Sequence, residues 1–236
     1  RAVDPGRGRA YSSAMQFHHH EPAGVVFDFD GTLADTRHSI LATYAETFRR
    51  LGRPHPGEDR VAATIGVPLH IAFRSITDMT EEESIEACDV YRAAFASREL
   101  DEVRLFEGME EVLDRLQAAG VPLAIASSRS HPSLSRLIAH LGLDGRFAAV
   151  AGREDAEREK PYPDMLLGVA ERLGMDARDL LMVGDTTFDV RMGHNAGATT
   201  CAVTYGNHSR EELAAAHPSF MVDSPRELYG ALTPAR

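Results

Sequence analysis

The sequence predicts an α/β fold in which a parallel sheet carries helices on both faces and a small helical domain is inserted after the first strand. Short runs of apolar, often β-branched residues recur along the chain, as expected for strands buried on both faces of a parallel sheet. From about residue 107 onward, segments with a 3.6-residue apolar periodicity separate these runs. Strand and helix therefore alternate, as they do in doubly wound α/β proteins.

The predicted strands and helices follow one another in a regular order. Gly120, Gly142 and Gly174 come directly after helical stripes, where a residue that tolerates positive φ ends a helix. The last helix is predicted to begin after Ser224, because Ser-Pro-Arg-Glu combines a capping box with proline at the first helical position. The predicted strands cover residues 24–28, 121–126, 147–151, 180–184 and 199–203.

About 90 residues separate the first strand from the second, far more than one crossover helix needs. Residues 37–105 show no strand pattern, and a capping box at Thr80–Glu83 begins one of their helices. These residues are therefore predicted to form a small helical domain, inserted into a core domain of residues 23–36 and 106–236. Two apolar stripes are predicted to form the interior of the helical domain: Leu41, Tyr44, Phe48 and Leu51, and Ile85, Cys88, Tyr91 and Phe95.

Composition limits the partners and the location of the protein. The formal net charge of −11 over 236 residues argues against nucleic acid or an anionic membrane as a partner. No apolar stretch approaches the roughly 20 residues of a spanning helix, and the first residues lack the apolar region of a signal peptide. Cys88 and Cys201 are predicted to be buried thiols in a reducing compartment, hence a cytoplasmic location. Residues 1–22, which include His18, His19 and His20, are expected to be a disordered tail.

Acidic, hydroxyl and lysine side chains accompany the predicted strands. Asp28 and Asp30 follow the first strand, Ser127 follows the second, and Asp185 follows the fourth. The carboxyl ends of parallel strands face one crevice, so these side chains are expected to meet there, although each alone is also a common helix cap. Lys160 is the only lysine among 25 basic residues, and its ammonium group is a compact point charge that the arginines do not offer.

Together these residues resemble the haloacid dehalogenase superfamily, specifically its phosphatase branch with a helical cap, of the phosphoglycolate phosphatase type. Residues 28–33 (Asp-Phe-Asp-Gly-Thr-Leu) match the first family motif, Ser127 the second and Lys160-Pro161 the third. Residues 184–189 match the fourth motif, a Gly-Asp pair with a second aspartate four residues on. The resemblance covers residues 24–230 and implies a Rossmann-like core, with residues 37–105 as the cap domain.

The resemblance also implies the hydrolysis of a phosphate monoester through an aspartyl-phosphate, with Mg²⁺ as the cofactor. Asp28 would be the nucleophile, and Asp30 would be the general acid and base. Mg²⁺ would be bound by the side chains of Asp28 and Asp185 and by the main-chain carbonyl of Asp30. Lys160 would neutralise Asp28 and the phosphoryl group, with Asp189 positioning the lysine or the waters on the metal.

Further residues would bind the substrate. The Ser127 hydroxyl, with N–H groups near Phe29, Asp30 and Ser128, would hold the phosphoryl oxygens. Residues 64–69 of the cap resemble the family's specificity loop, which would contact the leaving group. The remaining candidate substrate contacts are Gly66, Arg37, His70, Arg74 and Arg129.

Single residues argue for or against the other functions that occur on this fold. Dehalogenation is disfavoured because Asp30 is present, and phosphonoacetaldehyde-type chemistry because the cap contains no lysine. A phosphomutase of the β-phosphoglucomutase type shares the motifs and stays an alternative. A non-catalytic phosphate-binding module is a second alternative, although no motif residue is lost. Phosphoglycolate, sugar phosphates, nucleoside monophosphates, pyrophosphate and phosphorylated biosynthetic intermediates all fit as substrates.

Overall fold

A computed structural model of the protein describes residues 22–232. The predicted disordered tail at residues 1–22 lies outside the described residues except for Pro22. The strands are β1 (Gly24–Phe27), β2 (Ala34–Asp35), β3 (Arg104–Leu105), β4 (Leu123–Ala126), β5 (Ala149–Ala151), β6 (Leu180–Gly184), β7 (Thr199–Val203) and β8 (Phe220–Val222). The helices are α1 (Arg37–Arg50), α2 (Glu58–Ala62), α3 (Leu69–Ile76), α4 (Glu81–Ala96), α5 (Glu99–Glu102), α6 (Met109–Ala118), α7 (His131–His140), α8 (Asp164–Leu173), α9 (Thr187–Ala196), α10 (Arg210–Ala215) and α11 (Pro225–Leu232).

Six strands form one sheet in the order β5-β4-β1-β6-β7-β8, and every neighbouring pair is parallel. The strand β1 lies in the middle, with β4 on one side and β6 on the other. The chain order reverses at this point, which is where open α/β sheets form a crevice at the carboxyl ends of their strands. The predicted α/β fold class is thus confirmed.

Helices cover both faces of the sheet. Val25 and Phe27 of β1 belong to a buried cluster with the apolar sides of α6, α7 and α11. Val26, between them, belongs to a second cluster with α8 and α9. This alternation follows from the two-residue period of a strand, and it explains why β1 is apolar at every position.

Five helices, α1 to α5, lie between β2 and β3, and we call residues 37–102 the helical insertion. Its interior is aromatic: the ring of Tyr44 lies 5.0 Å from those of both Phe73 and Tyr91, measured between ring centroids. The predicted capping box of α4 is present, since the Thr80 side chain accepts from the Glu83 N–H. One stripe prediction is wrong: Ile85 is 53% exposed, because α4 turns that side outward.

Three further differences separate the structure from the predicted elements. The sheet has a sixth strand, β8, and residues 37–105 contain the short strand β3, which pairs antiparallel with β2 at the base of the helical insertion. The two-residue strand β3 is too short to display a period-2 pattern, and the apolar run of β8 was not recognised as a strand. The strands β4 and β5 also begin two residues later than predicted.

Several smaller predictions are confirmed. Gly120, Gly142 and Gly174 have φ of +76°, +67° and +66° at the ends of their helices. Cys88 and Cys201 are buried free thiols. Within residues 22–232, none of the helices combines the length and the apolar character that are needed to cross a lipid bilayer.

Candidate active site

Three strands of the sheet each deliver one polar side chain to the carboxyl edge. Asp28 follows β1, and its N–H donates to the Val183 carbonyl at 2.9 Å. Ser127 follows β4, and its N–H donates to the Ala151 carbonyl at 3.0 Å. Asp185 follows β6. Because the sheet hydrogen bonds continue into Asp28 and Ser127, the strands and not a free loop set the positions of these two residues.

Lys160 joins two of the carboxylates. Its Nζ donates to Asp28 Oδ1 at 2.7 Å and to Asp189 Oδ1 at 2.6 Å. The residue is only 6% exposed, in the segment before α8. Burial alone would lower the pKa of Lys160, but the charges of Asp189 and Asp28 outweigh burial and raise it. The ammonium group therefore stays charged and holds two aspartates from different strands together.

Asp189 is fixed by the start of its own helix. It lies in the first turn of α9, where its Oδ2 accepts from the Thr186 N–H at 3.0 Å and from the Thr186 hydroxyl at 2.6 Å. Its other oxygen, Oδ1, accepts from Lys160. Gly184 makes room for it, since a Cβ at that position would lie 2.2 Å from the Asp189 Cβ.

Asp185 is completely buried and held by neutral donors. Its Oδ2 accepts from the Asn207 N–H at 2.7 Å and from Asn207 Nδ2 at 2.8 Å, and its Oδ1 accepts from the Thr32 hydroxyl at 3.2 Å. Gly31 passes close by with φ +77°, and a Cβ there would lie 2.1 Å from Asp185 Oδ2. The sequence analysis missed Asn207, although it follows β7 at the same edge of the sheet and the strand-end rule would have found it.

The three carboxylates lie close enough to share a cation. One oxygen from each of Asp28, Asp185 and Asp189 lies within 4.8 Å of the others, and all three residues are buried. Burial raises the pKa of Asp28 to about 7, with Lys160 opposing the rise and Asp189 and Asp30 adding to it. Burial and the charges of Asp28 and Asp189 hold the pKa of Asp185 well above its usual range. Such a site gains stability from added positive charge.

Carboxylate oxygens are the ligands that Mg²⁺ prefers, so this donor set fits the metal implied by the sequence. Asp28 and Asp185 stay the predicted side-chain ligands, because the donors that hold Asp185 are all neutral, whereas Asp189 already accepts from the charged Lys160 and from Thr186. The sequence-based expectation that Asp189 supports the site from outside the metal shell stays a prediction. The third expected ligand, the main-chain carbonyl of Asp30, remains a prediction.

Asp30 is a partly buried residue of the site and is paired with Arg129. The guanidinium donates from Nε to Asp30 Oδ2 at 2.6 Å and from Nη2 to Asp30 Oδ1 at 2.5 Å. The Arg129 N–H also donates to Ser127 Oγ at 3.3 Å. Ser127 is 1% exposed, and its own O–H is left to donate toward the crevice. The sequence analysis named Arg129 only as a possible substrate contact.

A cavity of about 500 Å³ connects the aspartates to the helical insertion. Its floor includes Asp28, Asp30, Ser127 and Lys160. On the side of the insertion it is lined by every residue of the segment 64–69, together with aromatic rings of α1 and α4. The candidates Gly66, His70, Ser128 and Arg129 all line it.

Two candidate substrate contacts lie elsewhere. Arg37 is exposed at the start of α1, and Arg74 is exposed on α3, 3.9 Å from Glu81. Neither is among the residues that line the cavity in this arrangement. The sequence could not show which side of each helix faces the site.

Comparisons with known proteins agree with this geometry. A family model described as haloacid dehalogenase-like hydrolase matches residues 25–203. The "Probable phosphatase IndB" of Dickeya dadantii (strain 3937) is 37% identical over 211 residues, which cover 88% of this chain and 92% of that protein. The phosphoglycolate phosphatase of Escherichia coli (strain K12) is 30% identical over 232 residues, covering 89% of this chain and 92% of the relative.

The solved structure of a haloacid dehalogenase-like family hydrolase from Streptococcus pneumoniae matches with a TM-score of 0.81 and 23% identity, covering 90% of this chain and 99% of the other. At that identity the match shows the fold alone. The family model and the two relatives also show the family to which the chain belongs, and they confirm the resemblance found in the four motifs. The chain belongs to the haloacid dehalogenase-like hydrolase family.

Proposed function

We propose that this phosphatase hydrolyses a small organic phosphate monoester in two steps, through a phosphate ester of the Asp28 carboxylate and with Mg²⁺ bound. The observation that carries the proposal is the buried contact of Lys160 with both Asp28 and Asp189, beside the buried Asp185. A charged lysine next to one carboxylate oxygen leaves the other oxygen of Asp28 as a nucleophile, at the floor of a cavity that opens toward the helical insertion.

Mg²⁺ would be held by the side chains of Asp28 and Asp185. When bound, it supplies positive charge that offsets the repulsion between the Asp28 carboxylate and a phosphate dianion. The remaining chemistry is assigned to side chains of the chain itself.

In the first step, an Asp28 oxygen forms a bond to phosphorus while the bond from phosphorus to the leaving oxygen breaks. The leaving oxygen keeps the electron pair and takes a proton from the Asp30 carboxyl group. Lys160 stabilises the negative charge that spreads over Asp28 and the phosphoryl oxygens, and the Ser127 hydroxyl donates to one of these oxygens. The product alcohol then leaves through the cavity.

In the second step, Asp30 acts as the base. It takes a proton from a water molecule, whose oxygen bonds to phosphorus while the bond from phosphorus to Asp28 breaks. Free phosphate and the original Asp28 carboxylate result. One carboxyl group thus gives a proton in one half of the cycle and recovers it in the other.

The helical insertion is proposed to act as a cap over the reaction. Its segment 64–69 and the rings of Tyr44, Tyr91 and Phe95 line the side of the cavity opposite the aspartates. A cover of this kind excludes bulk water and contacts the leaving group. The cavity volume of about 500 Å³ suits a small leaving group, which is the chemistry that the names of the relatives also indicate.

The test is phosphate release from a panel of phosphomonoesters, with Mg²⁺ and with EDTA. We expect release that depends on Mg²⁺ and falls by more than roughly 10³-fold in Asp28→Asn, because the nucleophile is lost. Asp35→Asn is the matched control, since Asp35 is an exposed aspartate on β2 near the same segment. Full activity in Asp28→Asn would contradict the proposal, and interconversion of sugar phosphates without release would favour the mutase.

We further propose that the protein works in the cytoplasm. The support is that Cys88 and Cys201 are both buried free thiols, which a reducing compartment preserves. Its partner is then a soluble phosphate ester and not a nucleic acid, in keeping with the net charge of −11. Both thiols reacting with a thiol reagent after unfolding of freshly isolated protein would support this location, and a disulfide would contradict it.

A further inference from the structure

Arg129 contacts both the sheet and the helical insertion. Toward the sheet, its guanidinium makes the paired hydrogen bonds to Asp30 described above. Toward the insertion, it packs on the ring of Phe95 in α4, with its Cζ 4.4 Å from the ring centre. The side chain of Arg129 is 11% exposed and that of Asp30 is 21% exposed. Arg129 therefore links the proposed acid–base residue Asp30 to Phe95, which lies 65 positions away from it in the chain.

The paired hydrogen bonds fix more than a distance. Two parallel bonds from one planar guanidinium set the position and also the plane of a carboxylate, which a single bond from a lysine cannot do. A carboxylate has about four acceptor sites, of which Arg129 takes two. Each Asp30 oxygen therefore keeps a site that can exchange a proton with a leaving oxygen or a water, while the group is prevented from rotating.

The contact between Arg129 and Phe95 is also held in place by its neighbours. Phe95 stacks on Tyr91 with ring centroids 6.1 Å apart, and Tyr91 packs against Tyr44 at 5.0 Å. These rings belong to the interior of the helical insertion, so Phe95 moves only if the insertion moves with it. A cation over an aromatic face gains about 0.5–2 kcal/mol, depending on how dry the contact is. Movement of the insertion away from the sheet would remove this contribution from Arg129.

We propose that Arg129 is a positioning residue that orients Asp30, and that Phe95 makes this orientation depend on the insertion lying against the sheet. This inference rests on the proposed function, because Asp30 acts as acid and base only in that reaction. In this inference Arg129 holds the Asp30 carboxylate and does not bind the substrate. Arg129 Nη1 also donates to the Ser133 hydroxyl of α7 at 3.0 Å, so the core holds Arg129 in part and the contact with Phe95 adds the part that depends on the insertion. Proton transfer should then be slower when the cavity is open than when it is covered.

The test compares two esters in Arg129→Gln. A nitrophenolate leaves without a proton, whereas an alkoxide needs one from Asp30. We expect alkyl phosphate turnover to fall roughly 100-fold, the usual effect of a misplaced catalytic group. With p-nitrophenyl phosphate, the first equivalent of nitrophenolate should appear at nearly the wild-type rate. Later turnovers should be slow, because the second step still needs Asp30 as the base.

A double variant tests whether Arg129 acts through Asp30 or contributes to catalysis by itself. If Arg129 acts through Asp30, then Arg129→Gln combined with Asp30→Asn should be no slower than Asp30→Asn alone. Phe95→Leu keeps an apolar side chain but removes the ring face, and we expect the same pattern at a smaller loss of several-fold. Arg129→Lys keeps the charge without the planar fork, and it should fall between the wild type and Arg129→Gln.

Arg153→Gln is the matched control, since Arg153 lines the same cavity but contacts Glu154. It should not change the ratio of the rates for the two esters. Equal losses for both esters in the rate of the first turnover, with a raised KM, or additive losses in the double variant, would overturn the inference and make Arg129 a substrate contact. If the wild type released no phosphate, or Asp28→Asn were fully active, the proposed function itself would fail instead.

Discussion

The site contains three buried aspartates beside one lysine, and this excess of negative charge affects how its carboxylates titrate. Lys160 donates to Asp28 and Asp189, whereas Asp185 is held by neutral donors from Asn207 and Thr32. Neutral donors stabilise a carboxylate less than a cation does. Without a bound metal, the site can reduce its negative charge only when its carboxylates bind protons.

We expect the metal-free protein to lose stability as the pH rises from about 4 to about 7. Burial raises the pKa of Asp28 to about 7 in the folded protein, against 3.8 for an unperturbed aspartate. In this window the folded protein keeps a proton that the unfolded chain has released, so the free energy of unfolding falls with pH by roughly 1 kcal/mol per unit. Urea unfolding in the presence of EDTA, at a series of pH values, measures this slope.

Asp28→Asn provides the comparison for that slope. The amide does not titrate, so the variant should lose stability less steeply over the same pH range. Equal slopes in the two proteins would show that Asp28 does not carry the effect.

Individual residues of the site differ in how far the sequence could predict them. Asp28, Ser127 and Asp185 follow apolar strands, and the strand-end rule places them at one edge. Arg129 has no such signal, because its partner Asp30 lies 99 positions away and either a substrate or a neighbour would satisfy its charge. Both residues follow neighbouring strands of the sheet, but the sequence does not show that their side chains point toward each other.

At the scale of elements, the turn after β1 is the most constrained segment of the site. It must bring Asp28 and Asp30 to the edge of the sheet and also pass beside the fully buried Asp185. Gly31 meets both demands, with φ +77° and with its backbone close to the Asp185 carboxylate. A side chain at this position would need both a strained backbone and space that is already filled.

Gly31→Ala is expected to destabilise the fold and to abolish metal binding. Gly145→Ala is the matched control: its φ is +74°, and nothing lies within 4 Å of a Cβ placed there. The control should cost about 1 kcal/mol from backbone strain alone. Gly31→Ala should cost clearly more, and calorimetric titration with Mg²⁺ should detect no binding. Equal losses in the two variants would mean that Asp185 moves aside at little cost.

Five strands of the sheet were predictable, whereas β8 and the small strand β3 were not. Each predicted strand has at least three consecutive apolar residues, and the sheet confirms all five of them. By contrast, β3 and β8 are held by pairing with strands distant in sequence, which no local pattern reveals. Helices show a similar limit. The apolar stripe that includes Ile85 correctly predicted the helix α4, but it did not show that the neighbouring helices leave Ile85 exposed.

At the scale of the whole molecule, a cation that binds only the folded state should raise its stability. The carboxylates come from β1 and from β6 with the turn that follows it, and they are brought together only by folding. At a Mg²⁺ concentration about 100 times the Kd, we expect roughly 2.7 kcal/mol of stabilisation. For a protein of this size, this corresponds to a rise of several degrees in Tm.

Thermal unfolding with Mg²⁺, compared with NaCl at equal ionic strength, measures this rise. Asp185→Asn should lose most of it, because one of the two proposed side-chain ligands becomes neutral. A rise that persists in this variant would indicate that Mg²⁺ binds elsewhere on the acidic surface.

The burial of Lys160 has a practical consequence for chemical labelling. Reagents that acylate primary amines find only one lysine side chain among the 236 residues, and it is enclosed between two aspartates. Every other basic side chain except histidine is a guanidinium, which such reagents leave unmodified. Acylation of Lys160, followed by mass spectrometry, therefore reports how often this one site opens to solvent, without any engineered probe.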